Sequence, residues 1–167
     1  ARLPGHISWR RGRRASLLCS MPEPVTILLV EDNPDDEALT RLAMRRGMPA
    51  NLEVARDGEQ ALAYMLDEAN ELPRLVLLDL KLPHADGLEV LQRIREHERT
   101  ALTPVVILTS SNAPSDVIAG YRHGANSYVC KPVDFDQFAE LIRQLGFYWL
   151  MVNEPPAAGG ASLTISQ

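Results

Sequence analysis

Cysteine is nearly absent: of 167 residues only Cys19 and Cys130 carry a thiol. Two cysteines, one of them in a leader set apart below, give no disulfide framework and fit a reducing, cytoplasmic setting. No apolar run approaches the roughly 20 residues that cross a bilayer, so nothing here reads as membrane-bound. There is no glycine-rich phosphate loop of the Walker or dinucleotide type and no nucleophile-elbow serine. His84, His97 and His123 are scattered without metal-ligand spacing. His84 is read as a solvated loop residue and Cys130 as a small buried hydrophobe.

Charge is unevenly spread. Residues 1–20 hold five arginines (Arg2, Arg10, Arg11, Arg13 and Arg14) and no acid, whereas the rest has 12 basic against 22 acidic residues. An acidic unit with a net charge of −10 thus stands behind a basic leader. Such a unit repels phosphate backbones and is a poor general binder of nucleic acid. Arg13-Arg14 ahead of Leu17-Leu18-Cys19 has the outline of an export or lipoprotein signal. Its apolar stretch is too short, and Leu18 is bulky where a small residue belongs. Residues 1–20 are therefore read as disordered or not native, 21–153 as one folded domain, and 154–167 (Pro/Gly-rich and polar) as a flexible tail.

Within the domain, apolar runs alternate with helical patterns. Val25–Val30 is a β-branched run suited to a strand buried on both faces. Asn33-Pro34 followed by three acids is a helix start, and Gly47 ends that helix. Leu52–Ala55, Leu75–Leu78, Pro104–Leu108 and Ser127–Cys130 read as further strands. Helices are expected over 59–68, 88–98, 115–123 and about 134–152. Five strands alternating with five helices call for a parallel sheet covered on both faces and joined by right-handed crossovers.

In such a sheet, ligands bind beyond the carboxyl ends of the strands. Strand one ends in Glu31-Asp32, strand three in Asp79, strand four in Thr109-Ser110 and strand five in Lys131. Three carboxylates, a hydroxyl and an ammonium therefore meet at one rim. Clustered carboxylates repel one another unless a cation joins them, and hard oxygen donors suit Mg2+. Asp79 is placed to act as a nucleophile forming an acyl phosphate, with Lys131 neutralising the incoming charge and Thr109 donating to a phosphoryl oxygen. The bland alternative is that these acids cap helices, a role open to Asp32 and Asp36. Their meeting at one rim favours a functional site.

Four ordered motifs, LLVEDN, VLLDLKLPHADG, VVILTSS and SYVCKP, resemble the receiver domain of two-component response regulators over residues 25–147. That resemblance implies a flavodoxin-like, doubly wound fold with strand order 2-1-3-4-5. It implies that Asp79 accepts phosphate from a sensor histidine kinase. Mg2+ would be held by Asp32, Asp79, the backbone carbonyl of Lys81 and, through water, Glu31. Glu31 departs from the commoner aspartate pair. Thr109 and Tyr128 would act as the switch that reshapes the face of the fourth helix, fifth strand and fifth helix, and Lys81 and Ser111 would tune dephosphorylation.

A finer resemblance, carried by VEDNPDD, SNAPSDVIAGYRHGANSYV and FYWLMV, is to stand-alone regulators paired with phytochrome kinases. It implies a homodimer through the fourth-helix/fifth-strand/fifth-helix face. Phe147, Tyr148 and Trp149 lie in an apolar cluster expected to dimerise or dock a partner. Two other classes fit the sequence less well. An aspartate-nucleophile phosphatase carries a second carboxylate two residues after the nucleophile, where this chain has Lys81. A degenerate scaffold would not keep Asp32, Asp79, Thr109 and Lys131 together.

Overall fold

The computed structural model describes residues 25–155 except 46, 47 and 84. The basic leader with Cys19, His84, Gly47 and the tail beyond Pro155 lie outside the described residues.

Five strands, β1 (Val25–Val30), β2 (Ala50–Ala55), β3 (Leu75–Leu78), β4 (Val105–Thr109) and β5 (Ser127–Cys130), form one sheet in the order β2-β1-β3-β4-β5. Every pairing is parallel. The helices are α1 (Pro34–Arg45), α2 (Gly58–Leu66), α3 (Gly87–Glu96), α4 (Pro114–Arg122) and α5 (Phe135–Phe147). This is the flavodoxin-like arrangement expected from the motifs.

Successive strand residues point to opposite faces, and the core divides accordingly. Leu28, Val30, Val76, Leu78, Val105 and Ile107 pack against α2 and α3. Ile27, Leu29, Leu75, Leu77, Val106 and Leu108 pack against α1 and α5. The three central strands are therefore apolar almost throughout, as parallel strands buried on both faces must be. Helix α4 is more loosely held, with only Gly120 buried.

Local chemistry sets most boundaries. Asn33 accepts the Asp35 N–H at 2.9 Å ahead of α1. Asp57 accepts the Gln60 N–H at 2.7 Å and caps α2. Helix α3 stops at Glu96, two residues sooner than its periodicity predicts. There Thr100 Oγ1 donates to the Ile94 carbonyl at 2.7 Å, and Arg99 reaches the carbonyls of Met65, Asp67 and Asn70.

The last helix is not continuous to Val152 as expected. It gives way at Tyr148 to one wide π-helical turn, Tyr148–Val152, closed by the Asn153 N–H on the Tyr148 carbonyl at 2.7 Å. Trp149 is thereby turned into the core beside Phe138 and Ile142. The docking role expected of Trp149 is thus corrected: its side chain is core, while Phe147 and Tyr148 are exposed. Cys130 is also corrected. It is the last residue of the edge strand β5, which has a neighbour strand on one side only, and is exposed.

Candidate functional site

Sheet register builds the site. Val30 and Leu78 are paired across β1 and β3, so Glu31 and Asp79 emerge side by side. Thr109 and Cys130 are paired across β4 and β5, so Ser110 and Lys131 follow together. The cavity at this rim, about 440 Å³, is lined by Glu31, Asp32, Asn33, Pro34, Asp36, Asp79, Lys81, Ser110 and Lys131. Its four carboxylates outnumber its two ammonium groups, which leaves it net acidic and receptive to a cation.

Lys131 stands at the centre. Its Nζ donates to Asp79 Oδ2 at 2.6 Å, to Asp36 Oδ2 at 2.8 Å and to Glu31 Oε2. A lysine has three N–H donors, and all three are spent on carboxylates. Burial alone pulls the pKa of Lys131 down, but the bonds to Asp36, Asp79 and Glu31 outweigh it and hold the ammonium above its ordinary value. Burial pushes the Glu31 carboxyl above its ordinary value, although Lys131 pulls the other way.

Asp79 is buried at the mouth of the central strand. Its Oδ1 accepts the Lys81 N–H at 3.0 Å. The chain then doubles back, and Gly87 N–H donates to the Leu80 carbonyl at 3.1 Å. A Cβ on Gly87 would lie 2.4 Å from the Asp79 carbonyl oxygen, so only glycine lets α3 start this close to the site.

The other expected residues divide. Asp32 is exposed on the cavity wall. The Lys81 ammonium reaches Ser110 Oγ at 3.4 Å. Thr109 reaches the rim but is fully buried, and it is Ser110 that lines the cavity. Tyr128 and Ser111 stand behind it: the Tyr128 hydroxyl donates to the Ser111 carbonyl at 3.0 Å, and the Ser111 hydroxyl donates to Asp116 Oδ2 at 2.5 Å. That connects β5 to the start of α4.

Asp36 was missed. Its place in an acidic first turn reads as helix capping. The signal was there, because side chains in a first helical turn lean back toward the N-terminus, which here faces the rim.

Residues 27–143 match the response regulator receiver domain. The chain belongs to the response regulator receiver family. It is 42% identical over 138 residues to the probable methanogenesis regulatory protein FilR2 of Methanothrix harundinacea, covering 80% of this chain and 89% of that one. The Mn(2+)-bound form of response regulator Rcp1 superposes with a TM-score of 0.75 at 34% identity, over 80% of this chain and all of that one. The phosphorylated cyanobacterial phytochrome response regulator RcpA gives 0.76 at 33% identity, over 80% and 99%. This receiver is thus similar to stand-alone regulators.

Among the described residues of this receiver, no group of three His, Cys, Asp or Glu side chains is arranged to hold a metal ion. The cation on which the carboxylates converge is the Lys131 ammonium. Nor is any described helix long and apolar enough to cross a membrane.

Proposed function

We propose that this receiver accepts a phosphoryl group on Asp79 from the phosphohistidine of a sensor kinase, and signals by changing what its surface binds. One observation carries this reading: Asp79 is the buried carboxylate at the mouth of the central strand, held between the Lys131 ammonium and the Lys81 amide. A carboxylate oxygen of Asp79 attacks phosphorus; the P–O bond forms as the P–N bond breaks, and the imidazole leaves with the kinase. Lys131 follows the charge onto the phosphoryl oxygens. Ser110 and the Lys81 ammonium border the same space, while Lys81 and Ser111 tune the lifetime of the product.

The oxygen-only donor set fits Mg2+, which keeps several waters and needs one or two carboxylates. Asp32, Asp79, the Lys81 carbonyl and, through water, Glu31 would hold it. When bound it supplies positive charge against the incoming phosphoryl group.

Output runs through Thr109 and Tyr128 to α4, the least buried of the helices flanking the sheet. The face of α4, β5 and α5, with Ile118 and Tyr121 exposed, pairs two copies of the chain. The kinase is of phytochrome type, a reading supported by the likeness to RcpA. The setting is cytoplasmic, and nucleic acid is not a ligand of this acidic unit.

A small-molecule phosphodonor with Mg2+ is expected to leave an acid-stable, base-labile label, and Asp79→Asn to abolish it. Labelling that survives the substitution would overturn the assignment.

A further inference from the structure

Three carboxylates share Lys131, yet they are not equivalent. Glu31 and Asp79 belong to the oxygen set read above as holding Mg2+. Asp36 does not belong to that set. It stands on the first turn of α1 with its side chain 26% exposed, against 2% for Glu31 and 7% for Asp79. It is the wetter partner, at the margin of the cavity, and it contacts Lys131 at 2.8 Å. The positive end of α1 favours a carboxylate in that turn.

A divalent ion approaching Asp32 and Asp79 meets the Lys131 ammonium on Asp79, and two cations a few ångströms apart repel strongly in a partly buried site. Lys131 therefore has to shift its weight off Asp79. Its side chain is only 8% exposed, so retreat into water is restricted and the ammonium must rest on an acceptor that it already holds other than Asp79. We propose that Asp36 is a positioning residue whose carboxylate seats the Lys131 ammonium on the α1 flank of the cavity and so frees Asp79 for Mg2+. Deprived of Asp36, Lys131 stays on Asp79 and Glu31 and competes with the metal. This inference rests on the reading of Asp79 and its metal given above.

The test is calorimetric titration of Mg2+ into the full, unphosphorylated chain, with the Lys81 amide resonance followed as a second readout of occupancy. Asp36→Asn is expected to weaken Mg2+ roughly tenfold, as loss of a residue that orients a metal site does. Asp36→Glu restores most of the affinity. Asp35→Asn removes the same charge from the same turn, but Asp35 is exposed and lies off the cavity; it stays within about twofold of the parent. In a Lys131→Met background the cost of Asp36→Asn largely vanishes, because the two act as a coupled pair. Equal losses from Asp35→Asn and Asp36→Asn, or a loss undiminished by Lys131→Met, would overturn the proposal. A parent chain that binds no Mg2+ at all defeats the reading on which it rests.

Discussion

Lys131 Nζ lies 2.6 Å from Asp79 Oδ2, joining residues 52 positions apart in the chain. The pair is almost closed to solvent, with side-chain exposures of 8% and 7%. In the proposed function the phosphoryl acceptor and the cation that compensates it are therefore in contact beforehand. On that reading the contact is rearranged when the carboxylate becomes an acyl phosphate.

Lys131→Met leaves Glu31 and Asp79 buried without a counter-charge. Breaking a buried ion pair from one side costs roughly 3–5 kcal/mol, and a loss near the lower figure is expected because the cavity admits water. Urea denaturation at neutral pH measures it. Phosphorylation by a small phosphodonor slows in the same variant, since the incoming charge is no longer neutralised.

Gly87→Ala places a methyl group 2.4 Å from the Asp79 carbonyl oxygen and 2.7 Å from Leu80 Cα. Backbone cannot yield as a flexible side chain can, so α3 must move off the loop that carries Asp79. The expected outcome is a loss of roughly 2 kcal/mol, within the range for overpacking, with slower phosphorylation. Unchanged kinetics in a folded Gly87→Ala chain would show that the start of α3 does not position Asp79.

Glu37 receives Arg41 and Arg56, each at 2.9 Å. The Arg41 hydrogen bond first, and that of Arg56 after it, hold its carboxyl below the ordinary value of 4.5. A lowered folded-state pKa stabilises the protein above the unfolded value, and the contribution is lost as pH falls through the folded one. Glu37→Gln should cost roughly 0.5 kcal/mol at neutral pH, as partly exposed pairs do. The two denaturation midpoints converge as pH drops below 4.5.

Trp149 and Phe147 are two residues apart yet should behave oppositely. Trp149 is buried in the α1–α5 layer, and Phe147 is 63% exposed. Trp149→Ala costs roughly 3–5 kcal/mol, as for other large core truncations, and lowers the melting temperature whatever the protein concentration. Phe147→Ser leaves the monomer intact and weakens self-association in light scattering. A chain that is monomeric throughout removes the pairing role.

The order of elements and the strand ends were legible because both follow from local rules. Short continuous apolar runs, Asn and Asp caps, and a proline after Asn33 act within a few residues. That is enough to send Glu31, Asp79, Ser110 and Lys131 to one rim. The π-helical turn after Phe147 was not legible. A helical pattern there fits either an α-helix or a wider turn, and burial of Trp149 against Phe138 and Ile142 decides between them. Cys130 was misread for a related reason: a strand's sequence does not say that it will lie at the edge of the sheet.

From the sequence alone came the parallel sheet, the rim and the residue types gathered there, since apolar runs and capping are written in neighbouring positions. The tertiary structure alone decided that one ammonium serves Glu31, Asp36 and Asp79, that Ser110 rather than Thr109 faces the cavity, and that Trp149 turns inward. Lys131 and Glu31 are 100 residues apart. Only sheet register and helix packing determine how such distant side chains point once they meet.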